Sequence, residues 1–356
     1  MKKIAIMLLI VLTIFTLTAC DQTENDLMDD TPENLELNFT TDHYTEDMSG
    51  KTLNLYGVTD NVRPILDVFE EDTGIKVEHL TMKNGEILQR LENEKDSGVN
   101  IADLWFTGGA DTFINAAEND LLEPYITPQA ENLSKDMKDS EGYWHGTSLT
   151  LVNWIVNKQL VEENNLNMPK AWEDLLQEGL QGEVSMSNPA SSGTAYNVVT
   201  GILQAKGEEE GWSYLEKLIE QVPFFTARGS DPKNLVINGE AIVGINASNG
   251  DFEVEQEYEQ IEIVYPEDGT GWWPQPVAIV SGTDNLEEAK VFIDWIISKR
   301  GMEVIAEKRY AAVARTDVDI PDGIVDLNDI ALFPADFKAG AEQRDTILEI
   351  WSSKVE

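Results

Sequence analysis

Three consecutive segments of this chain repeat one pattern: a short apolar run, a turn, then apolar residues at helical spacing. Residues 51–58 (KTLNLYGV) lead into a predicted helix over 61–72 that places Val62, Ile65, Leu66 and Phe69 on one face. Thr73 and Gly74 supply its stop. Residues 76–82 and a predicted helix over 85–96, carrying Ile87, Leu88 and Leu91, form the second unit. Residues 102–109 (ADLWFTGG) enter a Gly-Gly turn before a third helix over 110–119. Strand–turn–helix units in series confine the chain to an α/β sheet, in which ligand sites lie at the carboxyl ends of the strands.

The middle of the chain changes unit. Residues 148–157 (SLTLVNWIVN) form a long apolar strand able to cross between two lobes, and 277–280 is a second apolar run able to return the chain. Between them the pattern predicts strands over 182–187, 223–227, 241–246 and 261–265, and helices over 171–178, 211–221 and 231–238. Residues 286–309 read as one long amphipathic helix with Ala289, Phe292, Ile293, Ile296 and Ile297 on its apolar face, and 339–354 as a closing helix. Two α/β lobes joined by crossing strands follow, with a ligand cleft between them.

The N-terminus bears on location. Lys2 and Lys3 precede an apolar or threonine run over 4–17 that ends in Leu17-Thr-Ala-Cys20, the pattern of a secretory signal over 1–19. Cys20 is the one cysteine of the chain, so no disulfide forms within it and folding rests on a hydrophobic core. Its setting resembles the bacterial lipobox, which implies lipidation of Cys20 and a membrane anchor. Residues 20–50 follow with ten carboxylates and no Lys or Arg, a composition that buries too little to order itself and reads as an acidic tether. The net charge of −41 excludes nucleic acid as a partner, since phosphate neutralisation needs a basic face. Adaptation to salt, which screens self-repulsion, accounts for such acidity.

One motif carries chemistry. In NPASSGTAY (188–196) a strand gives way to a helix that starts near Ser191 or Ser192. The first N–H groups of a helix lack intrahelical partners and carry partial positive charge, Ser and Thr hydroxyls add donors, and Gly193 lets a ligand approach backbone. Phosphate, phosphonate, carboxylate or sulfate suits such a place. An ordinary Ser N-cap worth about 1 kcal/mol explains the same residues. The Gly-Lys-Ser/Thr ending of a nucleotide loop is absent, so ATP is not implied.

NPASSGTAY, ADLWFTGGADTF (102–113), GTGW (269–272) and the segment NLEEAKVFIDW (285–295) together resemble the ABC-transporter substrate-binding lipoproteins, in the branch of ferric-iron, hexose-phosphate and aminoethylphosphonate binding proteins. The likeness runs in order from about Lys51 to about Arg315. It implies a two-lobed periplasmic-binding-protein (type II) fold with an interlobe cleft. Lobe one would be residues 51–149 and 270–356, and lobe two residues 150–269. It also implies a monomeric, membrane-anchored receptor outside the cytoplasmic membrane that hands a small solute to an ABC permease, without catalysis or cofactor. Carried over residue by residue, Ser191, Ser192, Gly193 and Thr194 match the anion-binding helix start. Thr107, Gly108 and Gly109 match a cleft-facing loop, and Thr59, Asp60 and Asn61 the first ligand-contacting loop. Trp272 and Trp273 stand where the chain recrosses and could wall the cleft, though core packing explains a tryptophan equally.

The choice of solute stays open among three classes. An iron site of this branch offers adjacent tyrosines, and none of the nine tyrosines adjoins another; Tyr310 is the single remaining candidate. A phosphorylated or phosphonate solute suits the Ser/Thr helix start, with Arg228, Arg309 or Arg315 as a bidentate grip. A polyamine or other cation would instead use Trp105, Trp272, Trp273 and Tyr310 with Asp60 or Asp111. His43, His79 and His145 show no metal-site spacing, so no metal is assigned. Nor does a Gly-x-Ser-x-Gly elbow appear, and no catalytic residue is assigned.

Overall fold

The computed structural model describes residues 48–248 and 251–355, all within one compact unit, Leu37–Glu356. The secretory signal, Cys20 and nearly all of the tether lie outside the described residues. The strands are β1 Thr52–Gly57, β2 Lys76–Thr81, β3 Leu104–Phe106, β4 Leu122–Glu123, β5 His145–Asn157, β6 Val184–Ser187, β7 Phe225–Thr226, β8 Val243–Ala247, β9 Ile261–Val264, β10 Trp272–Val280 and β11 Ala312–Val313. The helices are α1 Arg63–Thr73, α2 Asn84–Ser97, α3 Ala110–Glu118, α4 Lys158–Glu163, α5 Gly193–Lys206, α6 Glu208–Gln221, α7 Asp231–Ile237, α8 Asp251–Glu257, α9 Leu286–Ile297, α10 Lys299–Arg309, α11 Phe337–Glu342 and α12 Arg344–Val355.

The three opening units form as the apolar pattern requires. β1 pairs in parallel with β2 and with β3, and α1, α2 and α3 follow each strand in turn. Pro64 at the start of α1 has its φ preset for a helix, and Gly74 ends it in the left-handed region at φ 77°. The sheet continues in the order β2-β1-β3-β10-β5-β8-β6-β7. Strand β5 is buried at all thirteen positions, pairing with β10 through its first part and with β8 and β9 through its last. It is the crossing strand expected at 148–157, begun three residues earlier.

Two cores result. Leu53, Leu55, Phe69, Phe106, Phe292 and Trp295 pack together on the side of β1 and β3, with Phe69 edge-on to Phe292 at 4.8 Å between ring centroids. Trp154, Trp172, Val184, Val199, Leu215 and Trp351 pack on the side of β6 and β8. The last of these belongs to α12, so the chain's final helix joins the second core.

Four local expectations need correction. The helix over 286–309 is two helices, broken at Ser298: its Oγ accepts from Gly301 N at 3.1 Å and donates to the Trp295 carbonyl at 2.6 Å. Gly301 passes so near the preceding turn that a Cβ there would lie 2.2 Å from that same carbonyl. The helix over 339–354 likewise divides into α11 and α12. Residues 171–178 form short 3-10 turns, because Trp172 spends its polar groups on tertiary partners: its N–H on Asp268, its ring N–H on the Gly269 carbonyl, its carbonyl on Tyr214. Finally, β3 stops at Phe106, since Thr107 and Gly108 adopt φ 70° and 145° and turn the chain out of the sheet.

Candidate functional site

Two cavities lie against the paired strands β5 and β10. The larger, about 920 Å³, is bordered by Val58, Gly108, Gly109, Gly193, Trp272 and Trp273. Segment 333–344 also lines it, held to α5 by Tyr196 Oη donating to the Gly340 carbonyl and by Gln204 bonding the Asp336 backbone in both directions. The smaller cavity, about 440 Å³, is bordered by Asn61, Thr150, Ser248, Tyr265, Arg309 and Tyr310. Among the described residues Gln275 alone lines both.

The residues singled out in the sequence are therefore divided. Gly108, Gly109, Gly193 and Trp272 meet at the larger cavity, Asn61 and Tyr310 at the smaller. Trp272 is also a core residue, its indole N–H donating to the Phe333 carbonyl at 2.9 Å. Tyr310 caps α10 at φ 50° and is 53% exposed. Six others line neither cavity. Thr59 accepts from Asn61 N, Asp60 accepts from the Thr81 hydroxyl, and Thr107 accepts from Val58 N. Ser191 donates to the Ala227 carbonyl. Ser192 is the N-cap of α5, accepting from Ala195 N and from the Ser187 hydroxyl, and is buried. Thr194 packs against Gly229, whose place admits no Cβ. Ser192 and Thr194 are thus buried, and the exposed Ser191 hydroxyl is bonded to backbone. Replacing Ser192 by Ala is expected to cost about 1 kcal/mol of stability, read by urea unfolding, as for any lost N-cap.

The smaller cavity has the more unusual electrostatics. The Nε and Nη1 groups of Arg309 are buried and have no hydrogen-bond partner among the described residues. Burial lowers the guanidinium pKa, with no carboxylate among the described residues offsetting it. By contrast, the Asp251 carboxylate in the same wall is well supplied. Burial raises its pKa, against Lys233 Nζ at 3.1 Å, Asn153 Nδ2 at 2.6 Å and Asn246 Nδ2 at 3.3 Å. The other two sequence arginines are accounted for elsewhere: Arg315 grips Asp317 through Nε and Nη2, and Arg228 borders neither cavity. Sequence reasoning passed over Thr150, Gln275 and Tyr265, which come from ordinary strand and loop positions. The one available signal was Gln275 between two prolines, a sequence that disturbs strand pairing.

Residues 100–325, more than half of the chain, match the family model described as bacterial extracellular solute-binding protein. The chain belongs to that family. A protein of Haemophilus influenzae is 31% identical over 297 residues, covering 81% of this chain and 85% of its own. A Sinorhizobium fredii protein named as an ABC transporter periplasmic-binding protein is 26% identical, over 66% of each chain. A Salmonella typhimurium protein named for 2-aminoethylphosphonate binding is 24% identical, over 72% of this chain and 74% of its own. Among solved structures, the periplasmic binding protein AfuA of Actinobacillus pleuropneumoniae, with fructose 6-phosphate bound, superimposes with a TM-score of 0.70 at 26% identity. It covers 86% of this chain and 99% of its own. A Bordetella ferric binding protein shares the fold at a TM-score of 0.72 and 18% identity, over 85% and 99%. This solute-binding protein accordingly has the α/β type II periplasmic-binding fold, and its relatives serve ABC importers and are binding proteins, not enzymes.

Proposed function

We propose that this receptor captures a small anionic solute carrying a phosphoryl or phosphonyl group and passes it to its permease without catalysis. The observation that carries the reading is Arg309: two buried guanidinium nitrogens with no partner among the described residues favour an anion that supplies the acceptors. The Salmonella relative's name and the sugar phosphate in AfuA support the same class. Carboxylates also border the smaller cavity, among them Glu253 and Glu255, but a cation placed there would face Arg309. The adjacent tyrosines of a ferric site in this branch are absent, since none of the nine tyrosines adjoins another. In this reading residues 51–149 with most of 270–356 form one lobe, and residues 150–269 form the other together with α12, which packs in the second core. Cys20 carries the lipid that holds a monomeric receptor at the outer face of the cytoplasmic membrane. Solute contacts to both lobes favour closure, and that difference in contacts is what drives it.

The test is thermal unfolding at high salt against inorganic phosphate, 2-aminoethylphosphonate, fructose 6-phosphate, ferric citrate and spermidine. A true ligand at a hundred times its Kd stabilises by about 2.7 kcal/mol. Melting shifts with phosphorus compounds are expected. A shift with ferric citrate or spermidine and none with phosphorus compounds would remove the anionic assignment and leave the receptor standing.

A further inference from the structure

Gln275 lies in β10 between Pro274 and Pro276, where the pairing with β5 shifts register. Its side-chain amide is bonded at both ends. Gly108 N–H donates to Oε1 at 3.2 Å, and Nε2 donates to Thr150 Oγ1 at 2.9 Å. A backbone N–H can only donate, so Gly108 decides which way the amide faces. Gly108 is itself fixed. Thr107 N–H donates to the Pro276 carbonyl at 2.9 Å, and the hydroxyl of Thr107 accepts from Val58 N. At φ 145° the Gly108 backbone passes so close to Asn84 that a Cβ would meet its Oδ1 at 2.4 Å.

The consequence falls on Thr150. A hydroxyl has one proton, and here its oxygen accepts from Gln275. The proton remains, with no acceptor among the described residues, on a residue 7% exposed that borders the smaller cavity beside Arg309. We propose that Gly108, Gln275 and Thr150 form a relay that fixes the Thr150 hydroxyl as a donor into the smaller cavity. Gln275 and Thr150 are then specificity-determining residues that select an anion. A solute offering a donor there could use only the second lone pair of Thr150, and the hydroxyl proton would then be turned to where no described residue accepts it. The inference rests on the anionic reading above.

Titration calorimetry with inorganic phosphate and fructose 6-phosphate, run alongside urea unfolding, tests the relay. Thr150→Val keeps the β-branched shape and loses the proton; affinity should fall at least tenfold, as for a bond to a charged acceptor. Thr150→Ser should restore it to within about threefold. Gln275→Glu retains an acceptor for Gly108 and the side chain's shape, but its carboxylate takes the Thr150 proton; affinity should fall at least tenfold with stability held. Gln275→Met breaks both bonds and leaves Thr150 free to donate, so it should lose stability and keep more affinity than Gln275→Glu. In a Thr150→Val background only the added charge of Gln275→Glu can act, so an affinity loss as large there as in the wild-type background overturns the relay. Wild-type affinity in Thr150→Val also overturns it; if Arg309→Met has then lost binding, the anionic reading survives. Failure of the wild-type protein to bind either probe removes that reading and the relay with it.

Discussion

Replacing Arg309 by Met is expected to abolish capture of an anionic solute and, at the same time, to raise the melting temperature. The two effects have one cause. In the empty protein the guanidinium has lost water at Nε and Nη1 and gained no acceptor in exchange. Such a group costs about 1–3 kcal/mol, more when charged, and an apolar side chain of similar length removes the cost. A gain of that size should raise the melting temperature by several degrees, at about 2–4 °C per kcal/mol for a chain approaching this length. When a phosphoryl group arrives, each charge-assisted bond is worth about 1.5–3 kcal/mol, so losing two should weaken binding by a factor of about 10² or more. Arg309→Lys keeps the charge as a single donor point and should fall between. A lower melting temperature with affinity unchanged would mean that Arg309 supports the fold and that the solute binds elsewhere.

The contrast between what could and could not be read in the sequence follows from the range of the interactions. The units at β1, β2 and β3 were legible because each rests on local periodicity, Ile65 to Phe69 on α1 and Ile87 to Leu91 on α2. The crossing strand was legible because thirteen buried positions leave no polar face to confuse it. The break at Ser298 was not, since apolar spacing runs on through Ile296, Ile297 and Met302. What ends the first helix is a serine cap and the space that Gly301 leaves for the Trp295 carbonyl. Ser191 to Thr194 show the converse. Their cap chemistry was legible, but the direction of their hydroxyls depends on Ala227 and Gly229, more than thirty residues on. Gln275 and Thr150 stand 125 positions apart and meet through the register of β10 on β5. No motif could announce that pair.

Acidification from pH 6.5 to pH 4 should cost this protein on the order of 3 kcal/mol of stability through His145 alone. His145 opens β5 and is buried. Burial, reinforced by nearby Lys138 and opposed by Asp139 and Asp294, pushes its pKa down from 6.5 to about 4. Because the folded pKa is depressed, the unfolded chain takes up a proton below pH 6.5 that the folded chain refuses. Stability is therefore complete above pH 6.5, declines down to about pH 4, and loses nothing further from this group below that. Glu70 acts in a lower window. Burial alone would raise its pKa, but bonds from Lys76, Arg63 and Val77 N outweigh burial and hold it at about 2, so its contribution is lost only as pH falls below 4.5. With 66 carboxylates in the chain, acid also relieves self-repulsion and works in the opposite direction. A comparison with His145→Gln cancels that background, since both proteins share it. Urea unfolding of the two across pH 7 to 4 should give the wild-type protein the steeper decline, by on the order of 3 kcal/mol over the interval. Parallel curves would show that His145 titrates in the folded protein as it does in water, and that the entrance of the crossing strand is open to solvent and protons.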